Sequence, residues 1–334
     1  MRNLLFLHIF ILIGLRMIAN PLDTSYYRFY SGDLIMRTYS STDIFSIRQI
    51  NQNDKTVIFK PNQSLSAGLG ISYRWLVLSF GLTVADLTDN KIYGKSNESL
   101  FGLSASVGKH YLSVYLQEYK GFYIENYNEL GIRQPSSGAF PNLPNLNMSN
   151  AILSYQYFVS GNRFSIAPYT TGNIVATKSS GSLILGAAIS RYSLKNDSAF
   201  VKDVTRFRSD FQINYLQSFA PFIMVGYGFN FVLTDDLAAI LIANIGGGIE
   251  RQNYMNKNSE DLIEINPSYR FEGFGGIMYN RTRYFFSLTS NVIMMRHQLV
   301  SSSFETTNNK IMLNFGYRLQ LKKRPIWIGN KIGL

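Results

Sequence analysis

Few side chains in this sequence have the type and spacing for chemistry. They are His110 and His297, the serines Ser301, Ser302 and Ser303, and the charged residues Arg74, Glu250, Arg270, Glu272 and Arg318. Nucleophilic hydrolysis needs a hydroxyl and a base within hydrogen-bond reach. His297, with the three serines just beyond it, brings those types close along the chain. His110 falls at a tight turn, and the third histidine, His8, lies in the N-terminal leader. Two histidines on separate strands offer no metal-ligand spacing, and acidic residues do not cluster. The run Gly246-Gly247-Gly248 sits within strand patterning instead of opening a helix, so it is no phosphate cradle. No metal and no cofactor is therefore expected. The absence of cysteine excludes disulfide staples, thiolate zinc sites and cysteine nucleophiles. Arg270 and Glu272, two residues apart, share one strand face and suit a neutralising pair.

The elements that must carry these groups are strands. Leu65, Ala67, Leu69, Ile71 and Tyr73 take one face of a period-two pattern, and Ser64, Ser66, Gly68, Gly70, Ser72 and Arg74 take the other. The alternation returns over 76–84, 101–107 and 311–321. A soluble sandwich shows Lys, Glu and Thr to water, whereas this polar face is Ser and Gly. Charged residues make up only 16% of the 334, against about 25% in ordinary soluble domains. Many segments also reach the ten or so residues that a tilted membrane strand needs. The expectation is an all-β, antiparallel up-and-down transmembrane barrel of about 12–14 strands, with its apolar face out and a Ser/Gly-rich lumen. Fourteen is favoured if a weak segment at 207–216 joins the wall, and twelve follows if a marginal N-terminal segment stays out of it. The glycines suggest tight curvature or an uncrowded interior.

Tight turns are expected at Arg74-Trp75, Gly108-Lys109, Ser160-Gly161-Asn162, Thr234-Asp235-Asp236 and Asn280-Arg281-Thr282, with longer connections over 86–97, 125–147, 253–265 and 300–308. Tyr73, Trp75, Tyr111, Tyr279 and Tyr284 flank those turns, where amphipathic rings settle at a membrane interface. A wall of twelve or more strands encloses more space than small side chains fill. The lumen then holds water, a plug or a ligand, with Arg74, Glu250, Arg270, Glu272 and Arg318 as its charged groups. Ala238, Ile240 and Ile242 give one inward apolar patch, suited to a plug or an apolar ligand.

Met1, Arg2 and Asn3, then the apolar run 4–15 and Ala19, spell a secretory signal peptide over 1–19; an uncleaved anchor is the alternative. The barrel then occupies 20–321, and a short basic tail 322–334.

Pro61-Asn62, Gly68-x-Gly70-x-x-Tyr73-Arg74-Trp75-Leu76, Tyr93-Gly94-Lys95, Tyr119-Lys120-Gly121-Phe122-Tyr123 and Ser180-Gly181-Ser182 follow one another in order. This resembles domain of unknown function 4421, a family of outer-membrane β-barrels of Bacteroidota-type bacteria, over about residues 30 to 320. The resemblance implies fold and location and carries no activity. The last strand, with Asn314, Gly316, Leu319 and Leu321, resembles the signal read by the barrel assembly machinery, leucines standing where aromatics are usual.

The expected partners are that machinery, outer-membrane lipid and lipopolysaccharide. The basic residues are too dispersed for nucleic acid, despite a net charge of +11. Three functions remain open: a pore, passive transporter or structural envelope barrel with no enzymatic role, an outer-membrane enzyme acting on lipids, and a soluble secreted β-protein binding apolar ligands.

Overall fold

The computed structural model describes residues 22–30, 33–51, 56–200, 213–255, 261–299 and 302–321. The expected signal peptide (1–19), the basic tail (322–334) and residues 207–212 of the weak segment lie outside them. In chain order the elements are β1 (Tyr27–Phe29), β2 (Asp33–Asn51), β3 (Thr56–Lys60), β4 (Ser64–Tyr73), β5 (Leu76–Asp86) and the one-turn helix α1 (Asn90–Tyr93). There follow β6 (Asn97–Val107), β7 (His110–Ile124), β8 (Asn142–Phe158), the one-turn helix α2 (Ala167–Thr170) and β9 (Ile174–Ala176). The chain continues as β10 (Ser180–Lys195), β11 (Tyr215–Val232), β12 (Leu237–Met255), β13 (Asp261–Asn280), β14 (Tyr284–Gln298) and β15 (Ser302–Gln320).

Every wall strand pairs antiparallel with its neighbours, from β2 through β4, β5, β6, β7, β8, β10, β11, β12, β13 and β14 to β15. Then β15 returns to β2 along a ladder from Leu319↔Leu34 to Ser302↔Asn51. The result is a closed barrel with twelve full wall strands among the described residues. β3 wedges between β2 and β7 at one end only. β1 stays out of the wall and pairs with β9 instead. Of the weak segment at 207–216, Tyr215 and Leu216 open β11, which pairs directly with β10 from Lys195↔Tyr215 onward, so among the described residues the segment adds no strand of its own.

The period-two pattern sets which face looks out. Leu69, Phe80, Ile223 and Leu313 are 66, 52, 80 and 59% exposed on the outer surface. Ser66, Ser72, Ser190 and Asn314, from the alternate phase, are buried on the inner side. That is the reverse of what a soluble sandwich requires. Arg74-Trp75 and Gly108-Lys109 make two-residue hairpins, with left-handed φ of 53° at Arg74 and 55° at Gly108. These turns, and those at 233–236 and 281–283, lie at one end of the barrel, here the turn end.

Three expectations change. The inner glycines are not signs of empty space. A Cβ on Gly68 or Gly81 would stand 2.1 or 2.4 Å from the Tyr39 side chain, so these glycines make room for a ring that lies on them. The connections at 253–265 and 300–308 are mostly strand: β12 and β13 pair as far as Met255↔Asp261, and β15 begins at Ser302. Finally, the chain does turn at 158–161 but does not return to the wall until Ser180, so Ser160-Gly161-Asn162 opens a long excursion. Phe164, Ile166 and Tyr169 are apolar or ringed, and burying them draws this segment into the barrel mouth.

Candidate functional site

The site is the lumen, and side chains pack into both of its ends. At the turn end, residues 159–179, with α2 and β9, form a plug that β1 completes as a two-stranded sheet. Phe164, Ile166 and Tyr169 pack on Ile240 and Ile242 of β12. The inward apolar patch of that strand therefore seats a plug. Polar bonds tie the plug to the wall. Arg37 Nη1 donates to the Thr170 carbonyl at 2.9 Å, and Asn230 Nδ2 to the Ser165 carbonyl at 3.0 Å. Within the plug, Tyr27 Oη of β1 donates to the Arg163 carbonyl at 2.7 Å. Burial pushes the Tyr169 phenol of the plug far above its ordinary pKa, so it stays neutral.

At the opposite, loop end the lumen is filled by an apolar core. Phe45, Phe122 and Phe304 come from the wall, and Phe59, Tyr127 and Phe200 from β3 and the loops. This apolar core has no counterpart in the expected polar lumen; part of it comes from Tyr127, Leu130 and Phe200, loop residues whose inward fold leaves no period-two trace.

Between these closures lies a buried cluster of one lysine and two carboxylates. Lys310 Nζ lies 2.8 Å from Asp43 Oδ2 and 2.7 Å from Glu98 Oε1. Gln117 Nε2 donates to Glu98 Oε1 at 2.7 Å, Asn308 Nδ2 donates to Gln117 Oε1 at 2.8 Å, and the Tyr119 hydroxyl donates to Asp43. Four strands thus meet across the barrel: β2, β6, β7 and β15. Removing a lysine and two carboxylates from water is costly, and only such mutual pairing offsets it. Sequence reading missed Lys310, Asp43, Glu98 and Arg37. The signal was present in the phase of the alternation, since Arg37 and Asp43 share the inner face of β2 with Tyr39 and Ser41.

Among the expected lumen charges, Arg270 and Glu272 form a pair, Nη2 to Oε1 at 2.6 Å. Glu250 is fully buried and meets His297 Nδ1 at 2.5 Å, with the Tyr192 ring stacked on the imidazole at 4.8 Å. Arg318 donates to the Gly172 carbonyl at 2.8 Å, the Arg281 carbonyl at 2.5 Å and Asn280 Oδ1 at 2.8 Å. It lies over the Tyr30 ring at 4.2 Å. Arg74 is the exception: it occupies the hairpin turn with its guanidinium by the Tyr73 ring, because the left-handed turn position removes it from the wall.

Tyr73, Tyr279 and Tyr284 face outward near the turn end, and Tyr279 Oη accepts from Arg281 Nε at 2.6 Å. Trp75 packs on Ala105 and Leu112. Tyr111 does not join this girdle. Its position in β7 shares the inner phase with Ser113 and Tyr115, so it lines the lumen, while His110 takes the outer place against Tyr155 and Tyr157. In β15, Asn314 and Gly316 face inward, Leu319 pairs with Leu34, and Leu321 follows the strand directly.

A family model described as "Domain of unknown function (DUF4421)" matches residues 21–319. No curated protein matches the chain. Among solved structures, it is similar to the translocator domain of autotransporter NalP from Neisseria meningitidis at 15% identity and a TM-score of 0.41, covering 86% of this chain and 88% of that one. The β domain of the Bordetella autotransporter BrkA matches at 12% identity and 0.37, covering 86% and 99%. The Pseudomonas putida toluene transporter TodX matches at 7% identity and 0.30, covering 86% and 91%.

Proposed function

This chain belongs to the DUF4421 family, and on that premise we propose that it is an exported bacterial outer-membrane β-barrel whose stoppered lumen passes small solutes when the plug moves. The observation that carries the reading is the outer belt of Leu69, Phe80, Ile223 and Leu313 on a wall without free edges. A bilayer tolerates strands only when they close on themselves and show apolar side chains to lipid. The turn end then faces the periplasm and the loop end the exterior. Lys120, Arg191, Lys195 and Arg251 point outward toward the loop end, where they would meet lipopolysaccharide phosphates. Asn314, Gly316, Leu319 and Leu321 would be read by the assembly machinery.

A catalytic role is not part of the proposal. His297, the base followed by three serines in the chain, is buried on Glu250. Packing at both ends favours a gated passage over an open pore. Expression in a Gram-negative host tests the location: the chain should fractionate with outer membrane and migrate faster unheated than boiled. Recovery as a soluble periplasmic protein without detergent would refute it.

A further inference from the structure

Between the plug and the loop-end core lies a chamber of 240 Å³. Its polar surface is unfinished. Arg37, Tyr39, Ser154, Gln156, Tyr169 and Asn244 line it, and Arg37 Nε, Tyr39 Oη, Ser154 Oγ, Gln156 Oε1, Tyr169 Oη and Asn244 Oδ1 are shielded from solvent with no hydrogen-bond partner among the described residues. Tyr39, Ser154, Gln156, Tyr169 and Asn244 are each more than nine-tenths buried. A buried polar atom left unpaired destabilises a fold, and six around one cavity mark a place where something else supplies the partners.

The charges say what kind of molecule fits. Lys310 is neutralised by Asp43 and Glu98, and Arg270 by Glu272. Arg37 has no such partner among the described residues. One of its nitrogens donates to the Thr170 carbonyl, and the ionisable groups facing it are the phenols Tyr39 and Tyr111. The acids on its own strand face, Asp33 and Asp43, are four and six residues away, roughly 13 and 20 Å along an extended strand. A guanidinium keeps five donors in a fork that matches a carboxylate. The rest of the lining is mixed, with Ser79, Ser104 and Thr289 beside the apolar Leu100, Ile152, Ile242 and Phe274.

We propose that this chamber binds a small organic monocarboxylate, its carboxylate on Arg37 with the Tyr39 and Tyr169 hydroxyls beside it and its apolar body against Ile152, Ile242 and Phe274. The volume holds about eight waters at ~30 Å³ each, so the ligand has roughly eight to ten non-hydrogen atoms. The site rests on the reading of the lumen as a solute passage and names the class of solute that pauses there.

The test uses the full chain refolded in detergent, equilibrated overnight with benzoate, benzyl alcohol or benzylamine, three probes with one body and different charge. Calorimetry should show saturable benzoate binding at one site per chain and none for the other two. Arg37→Gln should weaken benzoate at least tenfold, Arg37→Lys should restore part of it, and Ser154→Phe, which fills the chamber, should abolish it. Each variant is scored after heat-modifiable migration shows it folded, and Ser154→Phe decides alone if the Arg37 variants do not fold. Absence of saturable benzoate binding, equal binding of benzylamine or benzyl alcohol, or unchanged benzoate binding in both Arg37→Gln and Ser154→Phe overturns the proposal. Loss of this binding in a chain that still fractionates with outer membrane refutes the ligand site alone; a soluble chain refutes the membrane reading.

Discussion

Arg318 on the last wall strand donates from Nε to the carbonyl of Gly172 in the plug at 2.8 Å, across 146 residues of sequence. The same guanidinium also holds the Arg281 carbonyl and the Asn280 side chain, so one charged group pins the stopper to two neighbouring parts of the barrel mouth.

Arg318→Ala should therefore loosen the plug while leaving the wall ladder intact. A hydrogen bond from a charged group contributes about 1.5–3 kcal/mol, and the one to Gly172 is the bond that anchors the plug. In planar bilayers the native chain should show no steady conductance, and the variant should show frequent openings. Steady conductance of the native chain would contradict the closed lumen.

Lys310→Met leaves Asp43 and Glu98 facing each other without their cation. Breaking a buried ion pair by removing one partner costs roughly 3–5 kcal/mol. The urea midpoint, followed by loss of the fast-migrating band, should fall well below that of the native chain. Glu98→Gln retains the Asp43 contact of Lys310 and should shift the midpoint less. Identical midpoints for all three would show that the cluster does not brace the wall.

Two glycine-to-alanine changes should behave oppositely. A Cβ at Gly316 would stand 2.1 Å from the Phe285 ring, whereas one at Gly247 meets nothing within 4 Å. Gly316→Ala should cost about 1–3 kcal/mol through overpacking. Gly247→Ala on the outer face should stay within about 0.5 kcal/mol of the native value. The comparison is read from folded yield in lipid vesicles, and equal yields would mean that Phe285 yields freely.

The wall was legible because its physics is local. Leu65 to Tyr73 announces a strand and its outer face within nine residues, and Arg270 with Glu272 announces a pair within three. Glu250 and Arg318 likewise lie in the inner phase that their strands dictate. The plug was not legible, because Phe164, Ile166 and Tyr169 follow no period and take their place only against Ile240 and Ile242, which arrive some seventy residues later. Lys310 was missed for a related reason. Its two carboxylates come from β2 and β6, and only closure of the ring brings those strands round to β15. Tyr111 was misassigned by one position in the alternation, a slip that exchanges lumen for exterior.

The small sheet of β1 and β9 carries a consequence for assembly. Three residues separate β1 from β2, and β2 is one lip of the seam that β15 closes. The strand that closes the circle is thus tethered by a three-residue link to the strand that completes the plug, so sealing and stoppering share one short stretch of chain.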